Sequence, residues 1–239
     1  MPRPSVSTHH ILDAAAELVA RHGFDHVTTA EIAKAAGVAK GVLYLRFPGK
    51  DELLDGVLDR EFANAVRAMR TSVEEDPRGG LLSRLYLHSL KAVRASPVLT
   101  AFYDSVHGES RVVARLVRRR SGSRYPAREL VGADFVAELH RVGMIRGDVD
   151  PAILHRILSL WSIGLAVSAP HDDVDELIVG MGDLVARSLD SDVADTTPGK
   201  IAFSTFAQRI IDQADRRAPV TVAPTAPRGQ QTSPEAAPS

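Results

Sequence analysis

The chain has 239 residues, 44% of them hydrophobic and 5% aromatic, with no cysteine and a formal net charge of −1 at pH 7. That length buries a substantial core and suits one small domain plus one larger one, while the lack of cysteine excludes a disulfide framework, a thiol redox sensor and a thiolate metal site. No apolar run approaches the roughly 20 residues of a spanning helix, and the stretch from Met1 to His10 is polar with prolines, so neither membrane insertion nor secretion is expected.

The first periodic segment carries Ile11, Leu12, Ala15, Leu18, Val19 and His22 on one helical face, and Gly23 is expected to end it. Thr28-Thr29-Ala30-Glu31 then fits a capping box, in which the Thr28 hydroxyl accepts a backbone N–H three residues on and Glu31 reaches back to the Thr28 N–H. The helix so started buries Ile32, Ala33 and Ala36, small enough for a second helix to cross closely. Gly37 can close it in the left-handed conformation, with Val38 plugging the corner.

The next helix, about Ala39 to Phe47, is short. Val42 and Leu43 are expected inward, leaving Lys40, Gly41, Tyr44 and Arg46 on the outer face. A cation, a gap, a phenol and a guanidinium suit a phosphate-lined major groove. Although the whole chain is slightly acidic, residues 32–50 contain Lys34, Lys40, Arg46 and Lys50 and no acid, a local cationic surface. The plain alternative is an ordinary pair of core helices around an Ala-x-x-Gly corner; capping box, alanine stripe, glycine corner and basic second helix together argue against it. Pro48-Gly49 breaks the helix. Asp51 and Glu52 then open a long one, carrying Leu53, Leu54, Val57, Leu58, Phe62, Val66 and Met69 and running from Lys50 to about Glu74, before the break at Asp76-Pro77-Arg78-Gly79-Gly80.

Ile11-Leu12-Asp13-Ala14-Ala15, Gly23-Phe24, Thr28-Thr29, Ile32-Ala33, Ala36-Gly37-Val38, Lys40-Gly41, Leu43-Tyr44, Phe47 and Lys50-Asp51-Glu52-Leu53-Leu54 resemble the N-terminal signature of TetR-family transcriptional regulators over about residues 8–58. The resemblance implies an all-α fold: an N-terminal arm and three-helix helix-turn-helix DNA-binding domain at 1–50, then a larger helical effector-binding and dimerisation domain at 51–217. It further implies that Thr28 and Thr29 meet phosphate, that Lys40, Gly41 and Tyr44 meet double-stranded DNA from the recognition helix, and that Lys50 contacts the backbone. The chain departs from the family pattern at four positions. Ala39 stands where many relatives have a capping Ser, Val42 where Thr is frequent, and Leu45 and Arg46 where Tyr or His is common, so no operator sequence carries over. Arg46 can bind guanine O6 and N7 in a bidentate way or sit on phosphate.

The remainder reads as helices. Leu81 to Ala95 form one, Ser96-Pro97 opens another to about Val106, a basic helix follows to about Arg120, and Tyr125 to Arg141 resumes before a turn at Met144 to Asp150. Asp150-Pro151 opens a helix to about Val167 that is apolar nearly all round, and Asp173 to Leu189 adds a second apolar seam with Gly180 and Gly182. From these two helices the expected homodimer interface is Leu158, Trp161, Leu165, Val174, Leu177, Ile178, Met181, Leu184 and Val185, the bland alternative being that both helices are core. The resemblance favours the dimer, since the family commonly pairs its last two long helices into a four-helix bundle, and a two-fold pair reaches both half-sites of a palindrome. Thr197-Pro198 begins a further helix with Ile201, Phe206, Ile210 and Ile211, and residues 218–239 collapse to Pro, Ala, Thr and Gly, expected to be disordered.

The resemblance also implies an unknown small-molecule effector in the second domain. Phe102, Tyr103, His107, Phe135, His140 and Trp161 are the candidates to line its site. The expectation is therefore a cytoplasmic, nucleoid-associated homodimeric repressor released from a palindromic operator by that effector; the alternative is an architectural or partner-controlled DNA binder without a ligand. Arg111, Arg115, Arg118, Arg119, Arg120, Arg124 and Arg128 form an acid-free run, read either as a solvated face or as a surface for an anionic effector or flanking DNA. No phosphate loop, His-x-x-x-His pair or serine elbow occurs, so no catalysis, cofactor or metal is expected.

Overall fold

Helix α1 (Thr8–His26) starts where the Ser7 side chain accepts the His10 N–H, and it kinks at Gly23, whose φ of 76° no helix interior adopts. The computed structural model describes residues 7–106, 110–121, 132–168 and 174–217, with the side chains at 106, 118–121, 162–168 and 217 outside the description. Gly23 thus ends the regular helix as its residue type suggested, and the short turn beyond it carries Phe24 into the core. Two short helices follow, α2 (Thr29–Ala35) and α3 (Lys40–Arg46), and then the long α4 (Lys50–Glu75), with Asp51 and Glu52 in its positive first turn. Ile11, Leu12, Ala15, Val19, Ile32, Ala33, Leu43, Phe47, Leu53 and Leu54 are buried together and form the centre of this head. Arg60 ties α4 to α1, donating to Asp13 Oδ1 at 2.6 Å and to the Leu12 carbonyl at 3.1 Å.

The body comprises α5 (Leu82–Arg94), α6 (Pro97–Val106), α7 (Arg111–Ser121), α8 (Ala133–Arg141), α9 (Pro151–Ser168), α10 (Val174–Ser188) and α11 (Thr197–Arg217). Among the described residues there is no strand, only a single bridge between Ile145 and Asp190, and no helix is long and apolar enough to cross a membrane. Head and body share one continuous core along α4. Phe102 of α6 stands edge-on to Phe24 at 6.0 Å between centroids and to Phe62 at 6.3 Å, so one ring joins α1, α4 and α6. Helix α11 braces α4 through Phe203, Ala207 and Ile210, with Lys200 Nζ on the Glu74 carbonyl at 3.0 Å and Arg67 paired to Asp215 at 3.2 Å. Ile201 of the same helix faces out.

The far end of α4 is tied in a close backbone crossing. A Cβ on Gly80 would lie 1.9 Å from the Thr196 carbonyl oxygen, and one on Gly199 would lie 2.0 Å from the Gly80 carbonyl oxygen. Polar pairs surround the crossing. Asp76 accepts from Arg84 at 2.6 Å and pairs with His88 at 2.9 Å, and Asp190 accepts the Ser83 N–H at 3.0 Å. Burial alone would raise the Asp76 carboxyl, but the bonds from Arg84, His88 and the Arg78 amide outweigh it and hold the group below its ordinary range. At Asp190 burial prevails over the Ser83 bonds, and the carboxyl is pushed up.

Candidate nucleic-acid interface

The corner between α2 and α3 is built from local chemistry. At the start of α2 the Glu31 N–H donates to the Thr28 hydroxyl at 3.2 Å, and Glu31 Oε2 accepts the Thr28 N–H at 2.9 Å and the Thr28 hydroxyl at 2.8 Å. These bonds hold the Glu31 carboxyl below its usual value. Because Thr28 spends its hydroxyl proton on Glu31, its side chain positions α2 in this state and has no donor left over for phosphate. At the other end Gly37 takes φ 63°, its N–H donates to the Lys34 carbonyl at 3.1 Å, and the Val38 N–H donates to the Ala33 carbonyl at 2.9 Å. That pair of hydrogen bonds closes α2 and aims the chain into α3. A Cβ at Gly37 would meet nothing within 4 Å, so glycine is needed for its dihedral and not for space.

Helix α3 has no side-chain cap at Ala39. It is anchored by Leu43, which is 0% exposed, and by Phe47 just beyond its end. Lys40 and Tyr44, one turn apart, share a flank. Lys40 Nζ lies 5.8 Å from the Tyr44 ring centroid, and the Tyr44 hydroxyl is 3.2 Å from Thr29 Oγ1, linking α3 to α2. Gly41 is open, with nothing within 4 Å of a Cβ. Thr29, Tyr44 and Lys40 thus come together on one side of the head, next in sequence to Thr28 and Gly41, and Lys34 of α2 is exposed.

Two expectations for this surface change. Val42 does not face inward: it is 38% exposed on the other flank, since a residue next to the Leu43 anchor on a two-turn helix is rotated about 100° from it. Arg46 does not lie on the outer face. It turns back to the start of α1, where Nη1 is 3.4 Å from the Thr8 hydroxyl, and it is half-buried. The outermost side chain is instead Leu45, 83% exposed and directly opposite Leu43. Its position one turn after Gly41 was the available signal. Lys50, at the start of α4, donates to the Asp25 carbonyl at 3.3 Å; partial burial lowers the pKa of its ammonium, with the Asp25 carboxylate acting the other way.

The arginine run is partly a structural strut. Arg115 holds Asp51 in a two-pronged pair, Nε to Oδ2 at 3.0 Å and Nη2 to Oδ1 at 3.1 Å, and the Val112 N–H reaches Asp25 Oδ1 at 3.3 Å. Helix α7 of the body therefore touches the end of α1 and the beginning of α4. Of the rest, Arg111 is exposed, and Arg118, Arg119, Arg120, Arg124 and Arg128 lie outside the described side chains.

The effector candidates do not form one cluster. Phe102 is packed among Phe24, Phe62 and Tyr103, and Phe135 stacks on Phe206 at 4.7 Å and leans on Phe203, so both rings are core. Tyr103 and Trp161 are half-buried at the core's margin. His140 is half-buried, with a buried Nε2 that has no hydrogen-bond partner among the described residues. His107 lies outside the described residues. The dimer candidates divide as well: Leu158, Val174, Ile178 and Val185 are buried within the protomer, Trp161 and Met181 pack partly against its core, and Leu177 and Leu184 are exposed. Leu165 lies outside the described side chains. The exposed face of α9 is Ile153, Ile157 and Leu160, none of them among the expected interface residues, since a helix apolar on all sides does not disclose which side its own core takes.

The fold and this surface define a helix-turn-helix head, with the exposed short helix α3, mounted on a larger helical body. Residues 11–57 match the family described as bacterial regulatory proteins, tetR family. The chain is 29% identical over 139 residues to the candidate mycofactocin biosynthesis transcriptional regulator MftR of Mycobacterium tuberculosis, covering 51% of this chain and 69% of that one. It is 34% identical over 65 residues to the fatty acid metabolism regulator protein of Bacillus subtilis, covering 27% of this chain but only 34% of that protein. The solved structure of FadR from Bacillus subtilis in complex with stearoyl-CoA has the same fold, with a TM-score of 0.55 and 17% identity over 74% of this chain and 96% of that one. The head of the chain, residues 11–57, is thus similar to the DNA-binding domain of tetR-family regulators, and the relatives that the chain matches are transcriptional regulators.

Proposed function

We propose that this regulator is a homodimeric repressor that reads a palindromic operator with α3 of each subunit and is released by a small molecule held in the helical body. The observation that carries the reading is the outward surface of α3, where Lys40, Gly41, Tyr44 and Leu45 lie on a stretch of residues 32–50 bearing four cations and no acid. Thr29 and Tyr44 offer hydroxyls to phosphate, and Lys34, Lys40 and Lys50 neutralise it. Arg46, braced on Thr8, supports the helix from behind and is a weaker candidate for base contact.

Dimerisation is supported by two adjoining apolar rows, Ile153, Ile157 and Leu160 on α9 and Leu177, Met181 and Leu184 on α10, which a second copy would cover. A small-molecule input is supported by the buried Nε2 of His140, a polar group without a hydrogen-bond partner among the described residues where such groups ordinarily find one, and by the stearoyl-CoA bound to the Bacillus subtilis FadR. The route from body to head is supported by Phe102, Arg115–Asp51 and Val112–Asp25, each joining a body helix to α1 or α4. A ligand that favours the wrong spacing of the two heads weakens DNA binding reciprocally, by about 1 to 3 kcal/mol of coupling.

Genomic footprinting of the purified protein tests the reading. The expected result is protection of a two-fold symmetric site whose half-sites are about one helical turn, or a multiple of it, apart. Protection without symmetry contradicts the dimeric reading, and uniform coating of all sequences contradicts operator recognition.

A further inference from the structure

The tip of the reading helix is apolar, and its polar side chains lie along its sides. With Leu43 as the inward anchor, the line opposite is Gly41 and Leu45, one turn apart. Gly41 contributes no side chain, so Leu45 reaches furthest out; at 83% it is the most exposed large hydrophobic residue among those described. Lys40 lies over the Tyr44 ring, the Tyr44 hydroxyl faces Thr29, and Arg46 turns back to Thr8. Val42 flanks Leu45 on the side that Arg46 vacates.

An aliphatic tip cannot read the donors and acceptors that line the floor of the major groove. Among the four base pairs the one apolar feature presented there is the thymine 5-methyl group. The surface around Leu45 is cationic and free of acid over residues 32–50, which suits a nucleic acid and not an apolar protein partner. We propose that Leu45, assisted by Val42, selects thymine in each operator half-site by packing on its 5-methyl group. This rests on the reading of α3 as the DNA-reading helix.

Replacing thymine by uracil deletes the methyl and leaves every hydrogen-bonding group in place, so it isolates the contact. An operator is first selected by the full-length protein from a random-sequence duplex library, and each thymine of a half-site is then replaced in turn by deoxyuridine. For the wild-type chain one position per half-site is expected to lose about four-fold in affinity, the value of one buried methyl group, and about sixteen-fold when both half-sites are changed. Leu45→Ala is expected to bind the thymine operator more weakly and to be indifferent to uracil at that position. It should also melt at the wild-type temperature, since the side chain is exposed.

A wild-type protein indifferent to uracil at every thymine, a selected half-site without thymine, or equal uracil sensitivity in Leu45→Ala overturns the proposal. If that happens while Lys40→Ala still abolishes selective binding, only the thymine contact is wrong. If the library yields no preferred duplex at all, the reading of α3 falls with it.

Discussion

Replacing Phe102 by Ala removes the ring that joins head to body. The side chain is 7% exposed and meets Phe24 of α1 at 6.0 Å, Phe62 of α4 at 6.3 Å and Tyr103 at 5.6 Å, all edge-on. A buried Phe→Ala change costs about 3 to 5 kcal/mol, combining lost transfer free energy with a cavity that three surrounding rings cannot fully close. At roughly 2 to 4 °C per kcal/mol for a chain of this size, the melting temperature should fall by about 6 to 20 °C. Phe102→Leu keeps most of the volume and loses the edge contacts, each worth about 0.5 to 1.5 kcal/mol, so it should fall between the two. Thermal unfolding followed by circular dichroism in the absence of DNA measures both. Native-state hydrogen exchange adds the location: amides at the end of α1 should lose protection in Phe102→Ala more than those of α10. A variant that melts with the wild type, or loses protection evenly throughout, would refute the assignment of Phe102 as the joint.

Gly80→Ala should lower the melting temperature by several degrees, because the new Cβ would fall 1.9 Å from the Thr196 carbonyl oxygen and 2.9 Å from the Lys200 nitrogen, backbone atoms that cannot rotate aside; overpacking of this kind costs about 1 to 3 kcal/mol. Ala39→Ser should raise stability by about 1 kcal/mol in equilibrium unfolding, since Ala39 already has the extended dihedrals of a cap, φ −66° and ψ 143°, and lacks only the hydroxyl. For Asp76 the folded pKa is depressed, so its contribution is present above the ordinary value of 3.8 and is lost as the pH falls through the lower folded value. Asp76→Asn should accordingly destabilise the protein at neutral pH, and the gap from wild type in thermal scans should close in acid below that value.

The parts of the site legible in the sequence are those set by neighbouring residues. Thr28 and Glu31 close a capping box, and Gly37 closes α2, through bonds spanning no more than a turn or two, so residue type and spacing suffice. The side taken by a residue on a short apolar helix is a different matter. Val42, Leu43 and Leu45 are chemically alike, and only packing of Leu43 against the core of the head decides that the other two face out. The same ambiguity divided α9, where Leu154 and Leu158 are core while Ile153, Ile157 and Leu160 are surface. Arg115 and Asp51 are 64 residues apart, and Gly80 meets Gly199 only because α11 returns along α4, so no local rule announces either contact. Phe102 and Phe135 have the size of ligand-lining residues, and aromatic neighbours distant in sequence place both in the core.

The central claim, that α3 reads DNA, is tested most directly by fluorescence-anisotropy titration of the selected operator and a scrambled duplex at several salt concentrations. Wild type, Lys40→Ala and Tyr44→Ala are compared. The expected result is preference for the operator in the wild type, weakening in both variants, and for Lys40→Ala a logarithmic salt slope reduced by about one per lost phosphate contact. Unchanged operator preference and an unchanged salt slope in both variants would contradict the account.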